Sequence, residues 1–360
     1  MAVTFLLGIL LGATGFYLAK LPGKSFLVPQ TIKEKARPLD KYTYENLSKR
    51  NWQPTELKIE SELDSKPTSL KPPYNFKSYL FSFVVDNKKI TGQINVPDNL
   101  ITRSPDTQVS TILMFRGYAP KESYSTGTGT KNAAAVFSQN GFITVAPDFL
   151  GYGDSDPRDE DEMAGRFESY PIALTLLRSL MDPKFVCAPT YESCSVDNWP
   201  LSVENLFLWG HSNGGHLALS TLEIANHSPS FADKAFPTVL WAPVTKPFPY
   251  STLVYTDEAD DLGKMQRKSL AKFEEDYDVN LYSIHNYTDW IKSPIQLNQG
   301  TADEEVPYWW SKEFVKTLKE KHEDKKADFT IFLYPGMSHN MQPGWNTAVA
   351  RNLAFFNSFR

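Results

Sequence analysis

A serine stands between two glycines in the segment Gly210-x-Ser212-x-Gly214, a spacing that is typical of an activated nucleophile. The apolar run 206–209 before it predicts a buried strand, and the stretch 215–225 after it predicts a helix. A sharp strand-to-helix turn exposes the serine hydroxyl beyond the strand end, and the glycines let neighbouring backbone pass closely. Because Gly and Ser are also common in ordinary turns, this pattern predicts chemistry only together with a base and an acid.

Two later segments supply a candidate acid and a candidate base. Asp303 and His339 each come shortly after an apolar strand-like run, one strand after the other. A serine hydroxyl has too high a pKa to attack unaided, so an imidazole must take its proton and a carboxylate must orient that imidazole. We therefore predict that Ser212, Asp303 and His339 form a catalytic triad. Glu304 and Glu305 are rival acids, and Asp303 is favoured because it comes first after the strand.

The same chemistry needs backbone N–H groups that stabilise an oxyanion. One donor is predicted to be Asn213, the residue after the nucleophile, and the other Tyr118, in the loop that follows the strand-like run Thr111–Phe115. For the substrate pocket we expect contributions from Arg116, Tyr124 and Trp309, although the aromatic residues could equally serve helix packing.

Strand-like and helix-like stretches alternate along the chain, which predicts a mostly parallel sheet covered by helices on both faces. An antiparallel hairpin over Tyr79–Val85 and Ile90–Val96 opens this pattern. The other predicted strands are Thr111–Phe115, Phe142–Ala146, Leu206–Trp209, Thr238–Trp241, Pro294–Leu297 and Phe329–Leu333. The predicted helices are Tyr42–Lys49, Thr130–Gln139, Ile172–Met181, Gly215–Ala225, Gly263–Asp276, Trp309–Glu320 and Asn346–Phe356.

From about Ser78 to its end, the chain resembles the α/β-hydrolase superfamily. More narrowly, it is similar to the bacterial single-domain hydrolases grouped with the prolyl oligopeptidase catalytic domain and with feruloyl-type esterases. The segments that carry the resemblance are Arg116–Tyr118, Ala146–Ser155, Gly210–Gly215, Gly300–Asp303 and Ser338–His339. The resemblance implies the α/β-hydrolase fold and the chain order Ser, Asp, His. It departs from the family at Arg116, where relatives often carry a histidine before the glycine.

The pattern divides the chain into an anchor or signal segment over 1–20, a tether and N-terminal extension over 21–77, and a hydrolase domain over 78–360. The interval 246–291 interrupts the alternation and is too long for an ordinary loop, so we predict a cap inserted over the carboxyl edge of the sheet. Its aromatic residues either line the pocket or pack against the helices of the sheet; they are Phe248, Tyr250, Tyr255, Tyr282 and Trp290.

The N-terminal run Ala2–Ala19 contains no charged residue and is long enough for a membrane-spanning helix or a signal-peptide core. Positive charges follow the run, which by the positive-inside rule favours a cytoplasmic domain. An enzyme with an N-terminal anchor is nevertheless most simply read as exported, so we expect a membrane-anchored or secreted protein with an extracytoplasmic domain. Cys187 and Cys194 are either two free thiols or a local disulfide, the latter favoured by export.

Composition narrows the classes of function. The net charge of −5 gives no global basic bias, which argues against a nucleic-acid partner. No His or Cys pattern has metal-ligand spacing, so neither a metal nor another cofactor is expected. The leading hypothesis is a carboxylesterase that forms an acyl-enzyme on Ser212. The alternatives are a prolyl oligopeptidase-like peptidase acting on small peptides and a non-catalytic binding protein on the same scaffold.

Overall fold

The computed structural model describes residues 35–65, 67–101, 108–182, 186–187, 202–231, 234–256, 260–323 and 328–360. The chain divides into two compact units, Met1–Pro38 and Leu39–Arg360. The predicted anchor over residues 1–20 lies outside the described residues. Within the described ranges, no helix is both long enough and apolar enough to cross a membrane.

One sheet joins the ten described strands, in the order β10-β9-β8-β7-β4-β5-β3-β2-β1-β6. Neighbours from β10 to β5 run parallel, whereas β5, β3, β2 and β1 pair antiparallel in turn. The carboxyl ends of the parallel strands therefore meet at one edge, where sheets of this kind bind ligands. The strands are β1 Leu57–Glu62, β2 Phe76–Val85, β3 Lys88–Pro97, β4 Gln108–Phe115, β5 Ile143–Pro147, β6 Val186–Cys187, β7 Ser202–His211, β8 Thr238–Trp241, β9 Ile295–Gly300 and β10 Phe329–Tyr334.

Helices cover both faces of this sheet, as the alternating pattern predicts. Successive side chains of β4 enter different cores: Leu113 packs with residues of α5, α6 and α9, and Met114 with residues of α3 and α10. The architecture confirms the predicted α/β-hydrolase fold. The helices are α1 Tyr44–Lys49, α2 Asp98–Ile101, α3 Lys131–Gln139, α4 Glu162–Phe167, α5 Ser169–Leu180, α6 Asn213–His227, α7 Tyr250–Leu253, α8 Lys264–Glu274, α9 Tyr308–Lys321 and α10 Trp345–Asn357.

Residues 39–77 belong to the same compact unit as the hydrolase domain rather than to a tether, so the predicted boundary at residue 78 is wrong. Strand β1 pairs with β2 along the sheet, and α1 packs against α6. Tyr44 is completely buried and its hydroxyl donates a 2.6 Å hydrogen bond to Ser220. Large apolar side chains, among them Trp52 and Leu57, are buried within this otherwise polar stretch. Their burial stabilises the docked state, by roughly 1.5–3 kcal/mol for each large side chain.

Within its described residues, the interval 246–291 contains α7, α8 and three short 3-10 turns. Three of its large aromatic residues pack against other rings, whereas Tyr250 is 48% exposed. Phe248 and Tyr282 are 2% and 0% exposed and pack on Phe167, with ring centroids 5.5 and 4.8 Å away. Trp290 stacks on His227 at 3.8 Å. The hypothesis that these three residues line a substrate pocket is therefore wrong, because packing against other aromatic rings removes more of their surface from water.

Candidate active site

The turn between β7 and α6 holds Ser212 in a strained conformation. Its backbone angles are φ 56° and ψ −123°, which a non-glycine residue rarely adopts and which cost about 1–3 kcal/mol. Two hydrogen bonds hold the turn in place: the Ser212 N–H donates to the Trp241 carbonyl at 3.0 Å, and the Val244 N–H donates to the Ser212 carbonyl at 3.2 Å. The end of β8 thus fixes the serine at the carboxyl edge of the sheet.

Close backbone contacts explain the glycines around this serine. A Cβ atom on Gly214 would lie 2.1 Å from the carbonyl oxygen of Phe115, at the end of β4. A Cβ atom on Gly117 would lie 2.9 Å from the Cβ of Ser212. Only glycine at these positions allows α6 to start against β4 and the loop after β4 to pass beside the nucleophile.

The structure joins Asp303 and His339 directly. His339 Nδ1 lies 3.0 Å from both carboxylate oxygens of Asp303, whose side chain is buried. Gln299 Nε2 and the backbone N–H groups of Glu305 and Val306 also donate to this carboxylate, at 2.7, 2.9 and 2.8 Å. Burial raises the pKa of Asp303, but the His339 and backbone hydrogen bonds outweigh it and hold the pKa below its ordinary value. The ionised carboxylate therefore keeps the proton of His339 on Nδ1 and leaves Nε2 as the acceptor.

The two rival acids occupy different positions. Glu304 is exposed and accepts a 3.4 Å hydrogen bond from the backbone N–H of His339, while Glu305 is exposed on the loop. Of the three candidates, Asp303 is the one that contacts the imidazole ring.

A second histidine connects the nucleophile turn to His339. His211 Nε2 donates a 3.1 Å hydrogen bond to the His339 carbonyl, and the two ring centroids are 4.7 Å apart. Burial, and then the neighbouring His339, lower the pKa of His211 to about 4, so the ring is neutral near pH 7. Ser212 directly follows His211, although the described contacts include no hydrogen bond between its hydroxyl and the His339 ring. Contacts of this kind often tighten only when substrate binds.

The two predicted oxyanion donors face one cavity. Asn213 is the first residue of α6 and Tyr118 follows Gly117, and both residues line a cavity of about 230 Å³ beside Ser212. The N–H groups of Gly215 and His216 bond back to the Ser212 carbonyl, which leaves the first N–H groups of α6 directed outward. The Tyr118 side chain is 78% exposed at the mouth of the cavity.

Arg116 holds the donor loop in place. Its guanidinium donates to the carbonyls of Gly117 and Asp148, at 2.9 and 3.1 Å, and lies 4.0 Å from the ring centroid of Tyr152 and 4.8 Å from that of Tyr124. The buried carboxylate of Asp148 in turn accepts hydrogen bonds from three hydroxyl groups, those of Thr91, Tyr124 and Thr126. Arg116 is thus a positioning residue for this loop.

The cavity wall differs from the predicted pocket. Arg116 lines it, Tyr124 packs against the guanidinium of Arg116, and Trp309 lies half-exposed on α9 without lining the cavity. None of the aromatic residues of 246–291 lines it. The lining residues are Arg116, Gly117, Tyr118, Phe149, Tyr152, Arg166, Ser169, Tyr170, Asn213, Gly214, His216 and Leu217.

Sequence reasoning missed the wall formed by residues 149–170. The one signal that could have found it is a charge within an apolar pattern. Arg166 lies among Met163, Ala164 and Phe167, whose side chains are buried. A positive charge at such a position favours a specific partner over a solvated surface.

Two further predictions concern the cysteines and metal binding. The side chain of Cys187 and all of Cys194 lie outside the described residues, so their pairing stays a prediction. Within the described ranges, no group of three or more His, Cys, Asp or Glu residues could hold a metal ion.

Comparison with known proteins gives the same fold. Residues 197–359 match the model of the prolyl oligopeptidase family. Acetyl xylan esterase 1 from Thermoanaerobacterium sp. is 16% identical, with a TM-score of 0.54 over 89% of this chain and 93% of that one. An S-formylglutathione hydrolase from Agrobacterium tumefaciens is 14% identical, with a TM-score of 0.52 over 83% of this chain and 99% of that one.

A peptidase has similar scores. Dipeptidyl peptidase 4 from Porphyromonas gingivalis is 14% identical, with a TM-score of 0.52 over 85% of this chain but 36% of that one. No curated protein matches the chain. At these identities the solved structures establish the fold and leave the substrate open. The chain therefore has the α/β-hydrolase fold, and it resembles the prolyl oligopeptidase family over residues 197–359.

Proposed function

We propose that this protein is a carboxylesterase that works through an acyl-enzyme on Ser212. The observation that carries the proposal is the buried Asp303–His339 pair, hydrogen-bonded at 3.0 Å, next to the strained Ser212 turn. A turn with a purely structural role would not need an acid–imidazole pair beside a strained serine. The same arrangement argues against a non-catalytic binding protein.

The proposed reaction has two halves. In the first, His339 Nε2 takes the hydroxyl proton of Ser212 while Oγ attacks the ester carbonyl, and Asp303 stabilises the imidazolium. The oxyanion accepts hydrogen bonds from the backbone N–H groups of Asn213 and Tyr118. His339 then protonates the departing alcohol. In the second half, a water molecule activated by His339 cleaves the acyl-enzyme and restores the serine.

Two observations favour esters over amides. The cavity of about 230 Å³ suits a short acyl group better than an extended peptide. The esterase and the thioester hydrolase match almost over their full lengths, 93% and 99%, whereas the peptidase matches over 36% of its chain. An alcohol is also an easier leaving group than an amine. The match to the prolyl oligopeptidase family keeps a small-peptide peptidase as the second candidate.

A substrate panel tests this choice. We expect p-nitrophenyl esters from acetate to octanoate to exceed aminoacyl and prolyl p-nitroanilides by at least about 100-fold in kcat/KM. Ser212→Ala should abolish both activities, and Ser61→Ala, at an exposed serine of β1, serves as the matched control. Faster cleavage of the anilides would make the protein a peptidase. Activity that survives in Ser212→Ala would contradict both candidates.

We also propose that residues 1–20 anchor the protein to a membrane, with the hydrolase domain on the extracytoplasmic side. The support is the uncharged run Ala2–Ala19. Membrane fractionation with protease protection of the full-length chain tests the proposal. A domain that external protease cleaves in intact cells is expected, and a domain that stays protected would contradict the orientation.

A further inference from the structure

One guanidinium in the cavity wall has no counterion. Arg166 lies on α4, and its guanidinium makes no hydrogen bond or ion pair within the described part of the chain; its Nε is buried without a partner there. Nearby acidic residues are already paired: Glu162 with Arg158 at 2.6 Å, and Glu168 with Lys88 at 2.5 Å. The one aromatic contact of Arg166 is long, 5.7 Å to the ring centroid of Phe248. The protein therefore holds this charge in the wall without neutralising it.

The environment of Arg166 makes such an arrangement costly. The side chain is half-buried with its Nε shielded from solvent, and this burial lowers the pKa of the guanidinium. A partly desolvated charge without a partner is destabilising, whereas a bidentate carboxylate would satisfy both its charge and its donors. The missing partner is therefore expected to come from outside the chain and to be an anion.

A second unpaired group lies in the same wall. His216 is 4% exposed, and its Nδ1–H donates to the Val244 carbonyl at 2.9 Å, so Nε2 carries a lone pair. That nitrogen has no partner. Burial, followed by the charge of Arg166, lowers the pKa of His216 to about 3, so the ring stays neutral. It can accept a hydrogen bond from a water molecule or a hydroxyl next to the anion.

The position of these groups sets the length of the ligand. His216 lies four residues after Ser212, which corresponds to about 6 Å along a helix. The cavity joins Asn213 and Gly214 at the nucleophile to Arg166, Ser169 and His216 in the wall. Arg166 lines the same cavity as His216 and its charge acts on that ring. An anion held between the two side chains would thus lie about one helical turn from Ser212, within reach of a chain of a few carbon atoms.

We propose that this cavity binds acyl groups that end in a carboxylate two to four carbon atoms from the ester carbonyl, and that Arg166 binds this carboxylate. The substrate class is then the half-esters of short dicarboxylic acids, and water converts them to the free dicarboxylate and the alcohol. This inference rests on the proposed esterase function and specifies its substrate.

The test compares monoethyl glutarate with ethyl 4-carbamoylbutanoate, a neutral ester of nearly the same shape. The wild-type protein should prefer the anionic ester by about 10-fold or more in kcat/KM, as expected for a charge-assisted pair. Arg166→Gln should abolish this preference, because kcat/KM should fall by at least about 10-fold more for the anionic ester than for the neutral one. Arg166→Lys should restore part of the preference. The matched control is Arg158→Gln, which removes an exposed, paired arginine and should leave the ratio unchanged.

Three results would overturn the proposal: equal rates for the two esters in the wild-type protein, an equal loss on both esters in Arg166→Gln, or a preference for 4-acetoxybutanoate, which carries its carboxylate on the alcohol side. A structural role of Arg166 would also show as a lower thermal midpoint of Arg166→Gln. Removal of an unpaired buried charge should instead leave that midpoint unchanged or raise it.

A binding experiment separates this inference from the esterase proposal. Calorimetry with glutarate should detect binding to Ser212→Ala protein, and adding Arg166→Gln should weaken the binding by about 10-fold or more. If Ser212 proves inactive toward every ester, this result still decides whether the cavity binds carboxylates. Unchanged affinity in the double variant would contradict the inference, whatever the outcome for catalysis.

Discussion

The two sides of Ser212 differ in how their polar groups are satisfied. On the side of His339, the Asp303 carboxylate accepts several hydrogen bonds, and the His211 ring holds the His339 backbone. On the cavity side, Arg166 Nε and His216 Nε2 are buried without partners. Groups that must act on every substrate are pre-organised by the protein, whereas groups without partners are those that a ligand can satisfy. This difference separates the residues that carry out the reaction from those that we propose recognise the substrate.

The largest loss of activity is expected when the nucleophile is removed. Ser212→Ala should lower kcat toward p-nitrophenyl butyrate by about 10⁴-fold or more, because no other group can form the acyl-enzyme. Its circular dichroism spectrum and thermal midpoint should match those of the wild type, since the hydroxyl makes no hydrogen bond to another side chain within the described ranges. A turnover within tenfold of wild type would remove Ser212 from the mechanism.

The second-largest loss of activity is expected from replacing the acid of the triad. Asp303→Asn should lower kcat by about 10³- to 10⁴-fold, because an amide in place of the carboxylate favours the wrong tautomer of His339. Glu304→Gln and Glu305→Gln are the matched controls on the same loop and should each lose less than about tenfold. A larger loss at Glu304 or Glu305 than at Asp303 would assign the acid to that residue.

The loop that carries Gly117 and Tyr118 lies between the two sides, and its variants test the role of the Tyr118 N–H group in catalysis. Gly117→Ala should lower kcat by about 100-fold, because its Cβ would displace the loop from Ser212 and with it the Tyr118 N–H. Tyr118→Ala keeps that N–H and should leave kcat on small esters within about threefold. Equal losses in the two variants would mean that the Tyr118 side chain, rather than its backbone donor, matters for catalysis.

The sequence predicts these two sides unequally well. Ser212, Asp303 and His339 each follow a strand of the parallel sheet, so alternating elements and chain order suffice to bring them to one edge. Arg166 belongs to α4, whose placement depends on how Phe167 packs with Tyr42, Phe248 and Tyr282. No local pattern encodes those tertiary contacts.

Packing also explains the missed start of the domain. Residues 39–77 look polar along the sequence, but Tyr44 and Trp52 are buried among distant residues that only the fold brings together. The same limit applies to the interval 246–291, where sequence position suggested a cap and packing decided the orientation of the aromatic rings.

Three histidines with lowered pKa values predict an acid-sensitive fold. Burial lowers the pKa of His211 to about 4, of His216 to about 3 and of His285 to about 4, whereas an unfolded histidine titrates near 6.5. Their contribution is fully present above about pH 6.5 and is lost as the pH falls toward 4, because the unfolded chain then binds more protons. Each contributes at most about 1.4 kcal/mol per pH unit.

Urea unfolding at pH 7.0, 6.0 and 5.0 measures this slope. His285→Gln should make the free energy of unfolding less dependent on pH, and His227→Gln, at an exposed histidine, should leave the dependence unchanged. A flat profile in the wild-type protein, or a reduced slope in the control alone, would contradict the assignment of these histidines as buried and neutral.

The smallest effect on activity is expected from deletion of the N-terminal segment. Deletion of residues 1–24 should leave kcat/KM for p-nitrophenyl butyrate within about twofold, because every proposed site residue lies after residue 110. Activity of the purified deletion variant, with its thermal midpoint, is the measurement. Loss of folding would show that this segment stabilises the domain.

Labelling with a fluorophosphonate probe tests the central claim most directly, since the probe reacts only with an activated nucleophile. Intact-mass and peptide mass spectrometry should find one adduct per chain, on Ser212. Ser212→Ala should take up no label, and Asp303→Asn should react far more slowly than the wild type. A wild-type protein that stays unlabelled, or an adduct on any other residue, would contradict the proposal that Ser212 is the nucleophile of this hydrolase.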